Sequence, residues 1–305
     1  MSKLYEKSGV NLKKANLLND KIGKNLGISA FAEKTFLAEG LKLVTCCDGI
    51  GSKIIPLYEK EMYSVIAQDV VAANLNDLVC TGATAVGFVD YLSVNKLDDE
   101  AVFEIVKSIR EILNDCDCSL LGGETSEISE LITDGNVDIA GFAVGIIKDG
   151  DELDKKNVKP GDVVIGLVSS GVHANGFSLV RKLFKENILS EIEFNSTLVP
   201  TNIYYNKVRN LVKKGLIKSA ANITGGGVFS NLVRAIPKGL SVELDYKNIP
   251  KQDIFDKLKD ICKEEFYEVF NGGVGFCLIA EEKNKEEIFE ICSEFSPFIF
   301  GKIGE

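Results

Sequence analysis

The chain has 305 residues, 45% of them hydrophobic and 26% charged, with a formal net charge of -10. That length and apolar content suffice for a substantial core and favour two domains over one, and the charged fraction excludes wholesale disorder. An acidic chain with no run of five or more Lys and Arg is a poor partner for nucleic acid or an anionic membrane. A phosphate-bearing small molecule stays open, because backbone amides, helix N-termini and bound cations can hold one locally.

The first thirty-odd residues are polar and rich in Asn and Lys, and read as a partly ordered arm with a short helix. No apolar signal core follows Met1, and no run approaches the roughly 18 apolar residues of a membrane span, so the expected location is the cytoplasm. A strand is expected over 41–47, closing in the turn Asp48-Gly49-Ile50-Gly51. The helical spacing of Val71, Leu75 and Leu78 predicts a helix over 64–80, ended by Gly82. A strand follows at 86–91. Val102, Ile105, Val106, Ile109, Ile112 and Leu113 fall on one face of an amphipathic helix over 99–113, and 137–147 reads as a long strand.

The charged segment 148–157 has no periodic apolar pattern and places a boundary between a domain over 1–150 and another over 160–305. The second half restarts with Pro160-Gly161-Asp162 and a strand over 163–168. A helix is expected over 175–184, a strand over 274–280, a helix over 285–293 and a last strand near 298–303. Strands and helices mix in both halves, which is an α/β or α+β pattern.

Eight cysteines include no CxxC pair, and His173 is the chain's single histidine, so zinc-finger, zincin and thioredoxin-type sites are excluded. Buried thiols in a reducing compartment fit the apolar surroundings of Cys80, Cys262, Cys277 and Cys292.

Four segments combine glycine with polar side chains at the end of an apolar strand. They are Asp48-Gly49-Ile50-Gly51-Ser52-Lys53, Gly122-Gly123-Glu124-Thr125, the run from Ser169 to Gly176, and Thr224-Gly225-Gly226-Gly227. Each alone reads more simply as a plain turn. Together they suit anion binding, since glycine lets backbone N–H groups approach a phosphate closely. None is a Walker A loop or a GxGxxG fingerprint, and the kinase catalytic loop is absent. Asp69 and Asn76 are seven apart and share a helical face with Asp77 at its edge. Acids on an apolar helix must pair, coordinate a cation or face water. Glu124 is a further candidate ligand, Lys53 a candidate phosphate contact, and His173 sits in a polar loop with a side chain that can titrate near neutrality.

In chain order these motifs resemble the phosphoribosylformylglycinamidine cyclo-ligase (aminoimidazole ribonucleotide synthetase) family. The resemblance begins with Tyr5-Glu6-Lys7-Ser8-Gly9-Val10 and runs through Asp48 to Lys53, the helix from Asp69 to Gly82, Gly122 to Thr125, Ala140-Gly141-Phe142, Ser169 to Arg181 and Ile223 to Gly227. It implies ATP-dependent closure of formylglycinamidine ribonucleotide to aminoimidazole ribonucleotide in purine synthesis, with magnesium as the cation. It also implies a homodimer in which two N-terminal four-stranded sheets form a barrel, with a larger mixed sheet and helices in the C-terminal half. By the same resemblance Asp48, Asp69, Asp77 and Glu124 are metal ligands, and His173, Lys53 and Asp69 are catalytic. Asp48, Gly49, Gly51, Lys53, Asp69, Asn76, Gly122, Gly123, Glu124 and Thr125 belong to the ATP site. Ser170, Gly171, His173, Asn175, Thr224, Gly225 and Gly226 hold the ribonucleotide. Two alternatives are a kinase of the thiamine-monophosphate type and a catalytically silent nucleotide-binding subunit. The sequence departs from the family pattern at the short segment 27–32, at Asn222 where a His is usual, and at Ser126-Glu127-Ile128-Ser129.

Overall fold

The computed structural model describes residues 7, 8, 14, 17, 18, 21, 32–133 and 136–305; the motif starting at Tyr5 and the segment 27–31 lie outside these, apart from Lys7 and Ser8. Each half is a five-stranded sheet with helices. The first sheet comprises β1 (Ala32–Ala38), β2 (Leu41–Gly49), β3 (Thr84–Val94), β4 (Ser119–Glu127) and β5 (Val137–Lys148), in the order β1-β2-β5-β3-β4. β1 is a fifth strand that the polar run before it conceals; its residues 34–38 are exposed, so no apolar alternation marks it. The second sheet comprises β6 (Val163–Val168), β7 (Ser219–Asn222), β8 (Ser241–Leu244), β9 (Val274–Ala280) and β10 (Phe298–Gly304), in the order β7-β9-β6-β10-β8. Among the described residues parallel pairing is confined to β3 and β4.

One short and two long helices belong to the first half: α1 (Ile54–Glu59), α2 (Tyr63–Val79) and α3 (Asp99–Asp115). α3 is amphipathic, burying Ala101, Ile105, Ile109 and Leu113, and the Asp98 side chain caps it by accepting from Ala101 N at 3.1 Å. α2 differs: Ile66, Val70, Val71, Leu75, Leu78 and Val79 are buried all round it, as befits a helix with neighbours on every side. β5 alternates buried and exposed residues, so one face of the first sheet packs on α2 while the other stays open. In the second half, α4 (Phe177–Lys185), α5 (Glu191–Ser196), α6 (Tyr205–Lys213) and α7 (Gly227–Leu232) precede β8, and β9 is buried along its whole length. One apolar core runs through both halves, joining Leu75 and Phe88 of the first to Tyr204, Tyr205 and Phe276 of the second.

The halves are also stitched by hydrogen bonds from α2 to the extended segment 199–204. Gln68 Nε2 donates to Thr201 O at 2.8 Å, Asn76 Nδ2 donates to Asn202 O at 2.9 Å, and Asn76 Oδ1 accepts from Tyr204 N at 2.8 Å. A main chain without a partner strand must find such donors and acceptors when buried. Among the described residues no helix is long and apolar enough to cross a membrane, and all eight cysteines are free, six of them buried.

Candidate active site between the halves

A cavity of about 360 Å³ opens between the two halves. Its wall carries Asp48, Gly49 and Gly51 from the first half and His173, Asn175, Thr224 and Gly225 from the second, with Asn76 and Thr201 at their junction. A neighbouring recess of about 390 Å³ is lined by Lys34, Asp77 and Lys155, and the two share Asn222, Thr224 and Arg234. Sequence motifs more than 120 residues apart therefore meet at one place.

Asp48 is the penultimate residue of β2. Asn74, buried on α2, clamps its backbone from both sides: Asp48 N donates to Asn74 Oδ1 and Asn74 Nδ2 donates to Asp48 O, both at 3.0 Å. The clamp needs Gly141 on β5, where a Cβ would lie 2.6 Å from Asn74 Nδ2 and 2.3 Å from the Phe88 ring. The Asp48 carboxylate is open to solvent at the cavity mouth, yet the protein around it raises its pKa, against the lowering effect of the Gly49 N–H. Gly51 has φ +55°, the left-handed turn expected of this motif.

The acids of α2 take different surroundings. Asp69 has no exposure; its Oδ1 accepts from Thr201 N at 2.7 Å and its Oδ2 forms an ion pair with Lys53 at 2.8 Å. Lys53 is equally buried and also donates to Val199 O at 2.7 Å, so its ammonium is spent on protein partners. Burial pulls the Lys53 pKa down, and Asp69 opposes the shift. Asp77, two turns on, accepts from Asn222 Nδ2 at 2.7 Å. Burial beside a neutral amide pushes its carboxyl up to about 7, with Asp48 adding to the rise.

Gly122 to Thr125 do not form a turn. They lie inside β4, extended along β3, with a register shift at Phe88/Val89. The register puts Glu124 beside Tyr91 on the open face of the sheet, away from Asp48, whose side of the sheet carries Asp90 across Gly141. Gly123 is required there, since a Cβ would sit 2.4 Å from Asp90 Oδ1. Burial raises the Asp90 carboxyl. Nothing in the local sequence pattern marks Asp90, Asn74, Thr201 or Arg234 as part of this site.

On the other wall, His173 is buried with φ +57°, and its Nε2 accepts from Ser170 N at 3.3 Å. Burial and the nearby Lys53 charge hold its pKa down to about 3. Ser170 and Gly171 support this loop from behind: Ser170 Oγ donates to Pro200 O at 2.5 Å and Gly171 O accepts from Asn271 Nδ2 at 2.9 Å. Asn231 closes the glycine turn, its Nδ2 reaching the carbonyls of Thr224, Gly225 and Gly227 at 3.2, 3.3 and 2.7 Å. Gly226 has φ +91° there and lies off the cavity wall.

Among the described residues no three His, Cys, Asp or Glu side chains converge on one point. Asp48 and Asp77 are nonetheless hard oxygen donors whose charge the protein leaves largely uncompensated. That donor chemistry fits magnesium, which takes one or two carboxylates and completes its shell with phosphate oxygens and water.

Two helix-backed sheets meet over an acidic cavity, and the sequence of both halves matches one class of protein, the AIR synthase type. Residues 32–147 match the model of the AIR synthase related protein N-terminal domain, and residues 159–305 that of the C-terminal domain. A phosphoribosylformylglycinamidine cyclo-ligase of Clostridium perfringens is 37% identical over 309 residues, covering 95% of this chain and 93% of that protein. One from Staphylococcus epidermidis is 37% identical, covering 93% and 90%. The chain belongs to the phosphoribosylformylglycinamidine cyclo-ligase family.

Solved structures share the fold at low identity. A HypE–HypF complex chain is 17% identical with a TM-score of 0.70, covering 94% of this chain and 93% of that one. AaThiL complexed with AMPPCP and TMP is 15% identical with a TM-score of 0.69, covering 94% and 90%. For T. maritima PurL complexed with ADP the values are 17% and 0.62, and the match covers 91% of this chain but 42% of that one, so this chain spans less than half its length.

Proposed function

We propose that this protein closes the imidazole ring of purine synthesis, converting formylglycinamidine ribonucleotide and ATP to aminoimidazole ribonucleotide, ADP and phosphate. The family membership supports the reaction. The observation that carries it in this chain is that one interdomain cavity gathers Asp48, Gly49, Gly51, His173, Asn175, Thr224 and Gly225.

An amide oxygen is a poor leaving group. Transfer of the ATP γ-phosphoryl group to it makes phosphate the leaving group when an amidine nitrogen attacks the same carbon. Little covalent chemistry falls to the protein, whose work is placement and charge stabilisation. Asp48 and Asp77 would hold magnesium, which supplies charge neutralisation at the phosphates. The main-chain amides of the Gly49–Gly51 turn contact the ATP phosphates. Asn175, Thr224 and Gly225, with the Ser170-Gly171 loop behind His173, hold the ribonucleotide, and His173 faces it; Gly226 serves by shaping the turn. Asn76, Asp69 and Lys53 act on this site by fixing segment 199–204 along its wall.

The open face of the first sheet supports the homodimer. Val86 (42% exposed), Tyr91 (38%), Leu121 (66%) and Phe142 (39%) present apolar surface there, which a second copy of the sheet would cover. Gly122, Gly123, Glu124 and Thr125 border that face, so their part in ATP binding goes with the dimer. The setting is the cytoplasm, where ATP and the ribonucleotide are available.

The test is an assay with formylglycinamidine ribonucleotide, ATP and magnesium that follows phosphate release and the aromatic amine product together. One phosphate per ring closed is expected. ATP-binding protein that gives neither product, or that phosphorylates thiamine monophosphate instead, overturns the reading.

A further inference from the structure

His173 stands in the loop after β6 with left-handed backbone, φ +57°, a conformation that costs energy for a non-glycine residue and persists where the surroundings impose it. Its ring is 2% exposed and lines the interdomain cavity. The ring cannot relocate: its Cε1 packs so closely on Gly275 that a Cβ there would sit 2.7 Å away, and Tyr204 flanks it at 6.3 Å between ring centroids.

The Ser170 main-chain N–H points at Nε2 from 3.3 Å. A backbone N–H can only donate, so Nε2 must present its lone pair, and the one proton of a neutral imidazole then sits on Nδ1. A carboxylate or water in that place could trade roles during a reaction; an amide cannot. Nδ1 itself has no hydrogen-bond partner among the described residues. The hydroxyl of the flanking Tyr204 is committed to Val168 O at 2.8 Å.

We propose that His173 serves the ribonucleotide as a neutral hydrogen-bond donor through Nδ1, with its tautomer set by the Ser170 main chain, and is not a general base. The proposal rests on the ring-closure reading for its ligand, the former amide oxygen, which gains negative charge as its bond to carbon breaks and it departs as part of the phosphate. A preorganised neutral donor stabilises such an oxygen without moving a proton. The charged groups around the ring act in both directions, and burial with Lys53 prevails. Lys53 opposes a second proton, its partner Asp69 on α2 is already paired, and Asp48 of β2 and Arg234 beyond α7 face the same cavity. The ring therefore stays neutral at physiological pH.

Because His173 is the only histidine, tag-free protein labelled with ¹⁵N-histidine shows one imidazole. The expected spectrum has Nδ1 protonated and Nε2 bare, with no titration between about pH 5 and 8, and the Nδ1–H signal moves on adding formylglycinamidine ribonucleotide but not ATP alone. An Nε2–H tautomer, a titration in that window, or a response to ATP alone overturns the proposal. Substitution provides the second arm. His173→Asn places an amide near Nδ1 and tolerates the left-handed backbone, whereas His173→Gln carries its amide toward Nε2. We expect kcat/KM within about tenfold of the parent for His173→Asn, and a loss of about 10²- to 10³-fold for His173→Gln and His173→Ala. A folded His173→Asn protein as inactive as His173→Ala contradicts the donor role. Parent protein that fails to turn over the ribonucleotide contradicts the reaction instead, while the tautomer, read without ligand, is decided separately.

Discussion

Lys53 and Asp69 meet at 2.8 Å with neither side chain exposed, and each also grips the other half of the molecule, Lys53 at Val199 O and Asp69 at Thr201 N. Breaking a buried pair by removing one partner leaves an uncompensated charge, which costs about 3–5 kcal/mol. Lys53→Met and Asp69→Asn are each expected to lower stability by about that much in denaturant melts, and to lose activity with it. The double variant Lys53→Met/Asp69→Leu should recover part of the loss, giving a coupling of about 2 kcal/mol or more. An Asp69→Asn protein that melts like the parent but turns over no ATP would instead make Asp69 a direct ligand group.

Stability should carry the imprint of His173. The folded ring stays neutral down to about pH 3, while in the unfolded chain it titrates near the ordinary value of 6.5. Between those values the unfolded state binds more protons, so stability rises with pH and is lost as pH falls below about 6.5, by about 1.4 kcal/mol per unit at most. The stability advantage of the parent over His173→Asn should therefore shrink between pH 7 and pH 4. Parallel melting curves across that range would refute a buried neutral ring.

Asn222, where the resemblance leads one to expect His, donates to Asp77 at 2.7 Å. A hydrogen bond to a charged group is worth about 1.5–3 kcal/mol. Asn222→Leu is expected to raise the magnesium concentration needed for half-maximal activity by about tenfold or more, with a smaller change in KM for the ribonucleotide. Asn222→His, which restores a donor, should stay near the parent. Equal behaviour of the two variants would show that the donor is irrelevant.

Phe142 lies centrally on the open sheet face, next to Cys47 on β2 and Val89 on β3. A buried charge at that point of a dimer would be unpaired. Phe142→Glu is expected to sediment as a monomer at concentrations where the parent is a dimer, with its melting temperature little changed. A dimer that survives the substitution places the interface elsewhere.

Much of the architecture was legible before the structure. α3 and β5 follow from periods of 3.6 and 2 in their apolar residues, and the strand-ending motifs mark the cavity wall at Asp48, His173 and Thr224. β1 was not legible, since its side chains are mostly exposed and carry no alternation. Nor was the extended course of Gly122 to Thr125, because two glycines read as a turn unless a neighbouring strand takes their main chain, as β3 does here.

Local pattern in one chain thus identified the elements, the order of the motifs and, through them, the family, because each of those is written in residues close together in sequence. The partners of the polar groups were settled only by folding. Asp69, Asn76 and Asp77 sit within three turns of one helix, yet one pairs with a lysine, one clamps a foreign main chain and one is left with a neutral amide. Those fates depend on segments about 120 to 150 residues away that packing brings to α2, with the exception of Lys53 in the same half, and no pattern along the helix can encode which of them arrives at which side chain.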